Sequence, residues 1–435
     1  MMIWSKNETL TREQMEILQL NRLKATVSQM YEKNMPYREK MIQANIKPED
    51  IKRLDDLKRL PFTTKDDLRN NYPYGYFSSP KKDIVRIHAS SGTTGKPTVV
   101  GYTKKDLDTW TDLVTRIAVM GGATKDDIAQ ICFGYGMFTG ALGLHYGLEN
   151  LGAIVAPASS GNTEKQIMYM KDFETTLLVA TPSYALHIAE VAKAMGINPA
   201  TDLKVKTGLF GGEGITDSMR EEMYRLWGRD MKVTQNYGMS ELMGPGISGE
   251  CLELQGMHIN EDDFIPEIID PDTEEVLPAG EEGELVISCV NKEGLPLIRY
   301  RTRDISRLIY EPCKCGRTTV RMENIKGRSD DMLVIRGVNV FPSQIEEVLL
   351  QVDGIGPHYE IVVERVNHLD IIEIKVELCD DSKLDLYSQL RELEEEIKCK
   401  LRVVLGISAS VKLVAPHSLR RFEGKAKRVV DLRSN

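Results

Sequence analysis

Between residues 128 and 241, short apolar runs alternate with amphipathic stretches, and that alternation limits the fold more than any other feature of the chain. Residues 128–138, IAQICFGYGMF, read as a buried strand entering a glycine-aromatic turn. Leu142 to Leu151 continues as helix, Ala153 to Ala156 as strand, 164–172 as helix, 177–183 as strand then loop, and 184–195 as helix. Further strands end at Leu209-Phe210 and at Val233-Thr234. Strands separated by helices predict an α/β fold, with parallel-rich sheets flanked by helices in a large N-terminal domain. Such sheets bind ligands beyond the carboxyl ends of their strands. The loops at 134–139, 180–183, 211–214 and 236–241 all follow predicted strands and are expected to line one cleft.

Upstream, residues 90–103 read SSGTTGKPTVVGYT. Gly92 and Gly95 let backbone N–H groups converge on an anion. Ser90, Ser91, Thr93 and Thr94 add hydroxyl donors, and Lys96 adds a mobile positive charge. This is the chemistry of a polyphosphate cradle. It is not a Walker A loop, because Pro97 stands where that motif needs a hydroxyl and strand-like Val99 to Tyr102 follows instead of a helix. Ile84 to Ile87 also reads as strand, so the loop is expected to join two strands. A plain hydrophilic turn uses the same residue types, but two neighbouring hydroxyl pairs followed by Gly-Lys-Pro exceed what a turn needs.

Two later strand ends carry polar groups. Gly211-Gly212-Glu213 offers flat backbone and a carboxylate, and Asn236-Tyr237-Gly238-Met239-Ser240-Glu241 offers a stacking ring and a second carboxylate. Glu241 suits a hard cation such as Mg²⁺ beside substrate phosphate. Taken alone, Asn-Tyr-Gly is a common turn, and Asp304 in Tyr300-Arg301-Thr302-Arg303-Asp304 would be an ordinary surface charge. Phe133, Tyr135 and Phe138, with Pro245 and Ile247, could wall an apolar pocket or simply fill a core.

The flanks are scaffold-like. Residues 9–33 predict an amphipathic helix with capping-box spacing at Thr11 and Gln14 and an apolar stripe of Ile17, Leu20, Leu23, Val27 and Met30. A break follows at Met35-Pro36, and a short helix begins after Thr63 or Thr64. Beyond residue 330 the chain reads as a small α+β domain. Residues 332–342 are strand-like with a turn at Arg336-Gly337, and Pro342 opens a helix over 343–351. Strands near 360–364 and 371–377, a charged helix over 385–400 and a strand near 410–414 complete it. The basic stretch 418–433 reads by charge alone as a solvated tail.

A net charge of −9 disfavours a nucleic-acid partner. No apolar run approaches the roughly 18 residues of a membrane span, and the polar start does not resemble a signal peptide, so a cytoplasmic protein is expected. Seven scattered cysteines do not form a secreted disulfide pattern. Glu311-Pro312-Cys313-Lys314-Cys315-Gly316 resembles a zinc knuckle, and Cys251 and His258 are the nearest further ligands for a closed structural Zn²⁺ site. The competing view is unrelated reduced cysteines, as expected for Cys132, Cys289, Cys379 and Cys399.

Taken in order, these motifs resemble the adenylate-forming superfamily of acyl- and aryl-CoA synthetases, peptide-synthetase adenylation domains and luciferases. Residues 90–97 are similar to its phosphate loop, 236–241 to its adenine motif, 300–304 to its ribose motif, and Gly424-Lys425 to its last motif. Thr98 replaces a lysine common there, and Ser240 replaces a threonine. The segment at 60–75, residues 133–140 and 160–166, and residues 423–431 resemble the phenylacetate-CoA ligase group more narrowly. The resemblance implies a large domain over 1–329 and a small one over 330–435, and an enzyme using ATP, Mg²⁺ and coenzyme A. It implies that Tyr237 packs on adenine, that Gly211, Gly212 and Glu213 border it, that Asp304 binds the ribose hydroxyls and that Glu241 binds Mg²⁺. Lys425 would bridge the substrate carboxylate and the α-phosphate. Asp330 would be the hinge, with Arg328 beside it and Gly337 facing the CoA arm. Tyr135, Phe138, Gly212 and Pro245 would border the acyl group. Phenylacetate is the leading acid, with indoleacetate, hydroxyphenylacetate or a non-CoA acceptor as alternatives. A regulator without catalysis, or a P-loop kinase, is the rival class. A homodimer is expected by analogy alone.

Overall fold

The computed structural model describes residues 2–90, 97–329, 333–335, 338–366, 369–380, 387–420 and 428–433. Ser91, Gly92, Thr93, Thr94, Gly95, Lys96, Asp330, Gly337 and Lys425 therefore lie outside the described residues. The chain divides into two compact units, Met1–Ile215 with Glu222–Asn324, and Thr216–Glu221 with Ile325–Asn435. No helix among the described residues is long and apolar enough to cross a membrane.

In the first unit the strands Ile154–Ala156, Ile128–Ile131, Leu177–Ala180, Thr207–Gly211 and Lys232–Met239 lie side by side in parallel. Leu177–Ala180 is buried along its whole length, as a central parallel strand must be. Gly140–Leu151, Thr163–Asp172, Pro182–Ala194 and Asp217–Trp227 are among the connecting helices. Phe133 to Phe138 forms the expected glycine-aromatic turn after the strand Ile128–Ile131. Gly134 and Gly136 weaken a strand there.

The sheet is mixed, not parallel throughout. A turn over residues 240–243 reverses the chain, and Gly244–Glu250, Met257–Ile259, Arg321–Met322, Tyr300–Ile309, Glu282–Cys289 and Phe264–Ile269 follow in that spatial order, each antiparallel to its neighbour. No helix separates these strands in sequence, so neighbours can pair antiparallel through short connections. The helices Lys104–Met120 and Gly140–Leu151 pack on Gly244–Glu250 and so tie the two halves together.

The N-terminal helix is Arg12–Lys33, with Thr11 and Gln14 forming the expected capping box. Its buried stripe is Met15, Gln19, Leu23, Thr26, Val27 and Met30; Leu20 is half-buried and Ile17 is exposed. The stripe is displaced because Gln19 turns inward and donates to the Glu261 carbonyl at 2.9 Å. A polar residue on the buried face escaped an apolar count. Thr64, not Thr63, caps the helix Lys65–Asn70. Thr63 instead donates its hydroxyl to the Ile298 carbonyl.

The helices Arg12–Lys33 and Lys104–Met120 both dock on a buried acidic run. Arg12 meets Glu261 at 2.9 Å, Arg116 meets Asp262 at 2.8 Å and Arg22 meets Asp263 at 3.2 Å. Burial, and then the charge of Asp262, pushes the Asp263 carboxyl up to about 7. A value above the unfolded one, about 3.9, favours folding most at low pH, and that contribution is lost as pH rises through the folded value. Asp263→Asn is expected to flatten the fall in melting temperature from about pH 4 to 7. A slope equal to that of wild type would contradict this.

In the second unit, Leu333–Ile335 pairs antiparallel with Val338–Val340, and helix Pro342–Leu349 follows with proline in its first turn. Ile355–Val366 and Leu369–Leu378 pair antiparallel, Ser410–Val414 joins the second of them in parallel, and Val429–Asp431 joins the first. Helix Tyr387–Leu405 runs beyond the expected end at 400. Ile345, Ile361, Val363, Ile372, Ile374 and Leu401 are fully buried in one core.

Candidate active site

The strands Arg86–Ala89 and Val99–Tyr102 form an antiparallel ribbon, so the phosphate-loop candidate does join two strands. Its base is closed by Ser90 and Thr98. Ser90 N–H donates to the Thr98 carbonyl at 3.0 Å, Thr98 N–H donates to Ser90 Oγ at 3.3 Å, and the two hydroxyls hydrogen-bond each other. Thr98 then donates its own proton to Glu241 Oε1 at 3.0 Å. Lys65 Nζ lies 3.6 Å from the same oxygen. Lys65 opens a helix, where the macrodipole disfavours a cation. The buried Glu241 carboxylate offsets that.

The predicted loops do converge beyond the parallel strands. Gly211 pairs with Asn236, whose amide donates to the Phe210 carbonyl at 2.8 Å. Gly212 holds a φ of +79°, and a Cβ built there would sit 3.7 Å from Thr181 Cγ2 and 4.0 Å from Phe133 Cε1. Glu213 Oε2 accepts from Ser183 N–H at 3.3 Å, while its Oε1 is buried with no partner among the described residues. Thr139 and Ser240 share a hydrogen bond of 3.0 Å. Gly134 faces Ser160.

Tyr237 and Asp304 come from distant segments yet meet directly, the phenol donating to Asp304 Oδ2 at 2.6 Å. That length is typical of a charge-assisted bond. Gly238 cannot be replaced where it stands, because a Cβ would lie 1.8 Å from the Gly244 carbonyl oxygen across the turn. Met239 ends the strand. Arg328 lies in the second unit, in the short strand Gly327–Arg328.

The acyl-side candidates stand in different surroundings. Tyr135 is hydrogen-bonded to His145 Nδ1 at 2.9 Å, and His145 Nε2 reaches Glu149 at 3.0 Å. Burial raises the Tyr135 phenol above its ordinary range. Phe138 is 52% exposed. Pro245 is buried, with its carbonyl accepting from Trp110 Nε1 at 2.6 Å. Of the four, Gly212 borders the strand-end cleft through Phe133 and Thr181. Lys65, Thr98 and Thr181 had no assigned role in the sequence reading. The lysine at a helix start and the threonine in a lysine's usual place were the available signals.

Cys251, His258, Cys313 and Cys315 gather as a buried group whose ligand atoms all lie within 4.8 Å of one another. Cys251 and Cys313 sulfurs are 3.7 Å apart, and Cys315 sulfur is 3.3 Å from His258 Nε2. All four are brought in by neighbouring pieces of the antiparallel half: His258 sits on Met257–Ile259, Cys251 just after Gly244–Glu250, and the other two before Arg321–Met322. A sulfur–sulfur edge of about 3.8 Å is what zinc–sulfur bonds of about 2.3 Å give in a tetrahedron. The thiols are free, and 3.7 Å is far from a disulfide. His258 Nδ1 is 3.0 Å from the Thr319 hydroxyl and 3.3 Å from its carbonyl, which leaves Nε2 as the ligating nitrogen. The Cys251 thiol, followed by His258, holds Cys315 well below the usual thiol range. The donor set and its spacing fit a structural zinc.

The family model described as AMP-binding enzyme matches residues 9–291, and that described as AMP-binding enzyme C-terminal domain matches residues 337–433. The chain is 45% identical over 447 residues to phenylacetate-coenzyme A ligase of Thermus thermophilus, covering 100% of both. It is 46% identical to phenylacetate-coenzyme A ligase of Escherichia coli, covering 98% of this chain and 97% of that one. A solved 2-hydroxyisobutyryl-CoA ligase, in the postadenylation state with R3-HIB-AMP, matches with a TM-score of 0.90 at 28% identity, covering 99% of this chain and 92% of that one. The same ligase with 2-HIB-AMP and CoA in the thioesterification state matches with a TM-score of 0.72 over the same shares.

Proposed function

Because the chain belongs to the phenylacetate-CoA ligase group of the AMP-binding enzymes, we propose that it activates phenylacetate with ATP and passes the acyl group to coenzyme A. A carboxylate oxygen attacks the α-phosphorus, the bond to pyrophosphate breaks, and acyl-adenylate forms. The CoA sulfur then attacks the acyl carbon, its proton leaves to solvent, and the bond to AMP breaks. Negative charge spreads over phosphate oxygens in the first step, so positioning and electrostatic stabilisation carry the catalysis.

The observation that carries this reading is the hydrogen bond from Thr98 to Glu241, which ties the base of the phosphate-loop candidate to the end of the adenine-motif strand. Ser90 to Lys96 would hold the β- and γ-phosphates, and Lys425 would bridge the acid and the α-phosphate. A Mg²⁺ ion on Glu241 would offset the charge of the phosphate oxygens. Tyr237 would stack on adenine, with Gly211 and Gly212 beside it and the open Oε1 of Glu213 facing a donor. Asp304, already accepting from Tyr237, would also accept from the ribose hydroxyls. Asp330 would serve as hinge, and Gly337 would meet the CoA arm. The cysteine-histidine group takes a structural zinc. The division at 329/330, a homodimer and a cytoplasmic location complete the reading.

Phenylacetate-dependent exchange of pyrophosphate into ATP tests it. Exchange with phenylacetate well above that with indoleacetate, hydroxyphenylacetate or short aliphatic acids is expected. Exchange driven best by another acid would replace the substrate, and none with any acid would overturn the reaction. Asp304→Ala is expected to raise KM for ATP by about 10- to 100-fold, since hydrogen bonds to charged groups contribute about 1.5–3 kcal/mol. An unchanged KM for ATP would remove Asp304 from the ribose.

A further inference from the structure

Lys292 is only 2% exposed, in the segment that follows the strand Glu282–Cys289. Among the described residues no carboxylate pairs with its ammonium. Nζ donates to the Leu242 carbonyl at 2.5 Å and lies 4.3 Å over the ring of Tyr102. Burying a cation with one hydrogen bond and one ring face is costly. An apolar side chain of similar length would fill the space at lower cost. Burial pushes the ammonium down to about 8, and Cys289, Asp106 and Glu241 are the titratable groups that face it.

What that costly group holds is the turn carrying Glu241. Leu242 follows Glu241, and on its other side the Tyr102 hydroxyl lies 3.4 Å from the Ser240 carbonyl. Two groups in contact with each other therefore grip the carbonyls that bracket Glu241. Both are anchored in turn. The Tyr102 ring stacks on Trp110, with centroids 5.1 Å apart. The segment bearing Lys292 is clamped by Asp106, which accepts from Glu293 N–H at 2.6 Å and Gly294 N–H at 2.8 Å while capping the helix Lys104–Met120. The clamp connects the start of that helix to the turn at residues 240–243 and to the strand that leaves the phosphate loop.

We infer that Lys292, backed by Tyr102, is a positioning residue that fixes the Glu241 turn for the step in which pyrophosphate leaves. This rests on the reading of Glu241 given above. The second half-reaction involves no polyphosphate, so it should not depend on Lys292. A residue that merely stabilised the fold would slow both steps alike.

Lys292→Met and Lys292→Gln, run beside wild type, separate these cases. Two rates are read, phenylacetate-dependent pyrophosphate exchange and thioester formation from supplied phenylacetyl-adenylate and CoA. Since a misplacement of about 1 Å costs about 100-fold, Lys292→Met is expected to slow exchange by about 30- to 100-fold and to raise the Mg²⁺ needed for half-maximal rate. Thioester formation should stay within about 3-fold of wild type on the same grounds. Lys292→Gln, which keeps a donor for the Leu242 carbonyl, should recover part of the exchange. Equal loss in both steps, or no loss, would overturn the assignment. Should Lys292→Met not fold, Tyr102→Phe removes only the hydroxyl near Ser240. It is expected to show the same selectivity at smaller size, and an unselective effect would overturn the assignment. A wild-type enzyme without exchange would instead remove the reading of Glu241, and this assignment with it.

Discussion

Lys425→Ala is expected to slow acyl-adenylate formation by about 10²- to 10³-fold, the usual loss when a charge contact made in the transition state is deleted. Thioester formation from supplied acyl-adenylate should be largely spared, because the carboxylate and the α-phosphate are by then already joined. The residue stands in a basic, glycine-containing stretch that charge alone would assign to a solvated tail. A tail residue would leave both rates unchanged. Single-turnover measurement of each half-reaction reads the difference, and equal loss in both would count against a bridging role.

Loss of the metal group is expected to have the largest effect on stability. The isolated protein should carry about one zinc per chain, and Cys315→Ser should lower that content and the melting temperature by at least about 10 °C, given the large folding contribution of structural zinc. The reason is geometric. Four buried donors come from the turns and edges of four antiparallel strands, and without a cation their thiolates and imidazole face one another uncompensated. The effect should reach the ATP site. Cys251 follows Glu250, whose carboxylate accepts from Gln235 N–H at 3.0 Å and from its side-chain amide at 3.2 Å. Gln235 leads directly into Asn236 and Tyr237. Cys315→Ser should therefore also raise KM for ATP. Isolated wild type that carries no zinc, or Cys315→Ser that melts with wild type, would contradict the metal reading.

Local rules carried the sequence reading far in some places. Thr11 and Gln14 cap their helix as their spacing requires, Pro342 opens a helix, and the alternation from 128 to 239 yields five parallel strands in register. The cysteine-histidine group was legible because compact Cys-x-Cys spacing has few other uses. Features made by distant partners were not legible. Lys292 and Lys65 look like any surface lysine in sequence. Their meaning comes from Leu242, some fifty residues away in the chain, and from Glu241, which is farther still. Pro245 was read as a pocket residue from its place after the adenine motif; that its carbonyl accepts from Trp110, far away in the chain, no local pattern shows. Ile17 failed for the opposite reason. An apolar stripe was counted at ideal spacing, whereas Gln19 found a buried carbonyl and turned the helix face toward itself.

The most direct test is the product balance from ATP, phenylacetate and coenzyme A. AMP, pyrophosphate and phenylacetyl-CoA should appear in equal amounts, and omitting the acid should abolish all three. ADP in place of AMP, or no turnover of ATP with any acid tried, would contradict the assignment of this chain as an acyl-adenylate-forming ligase.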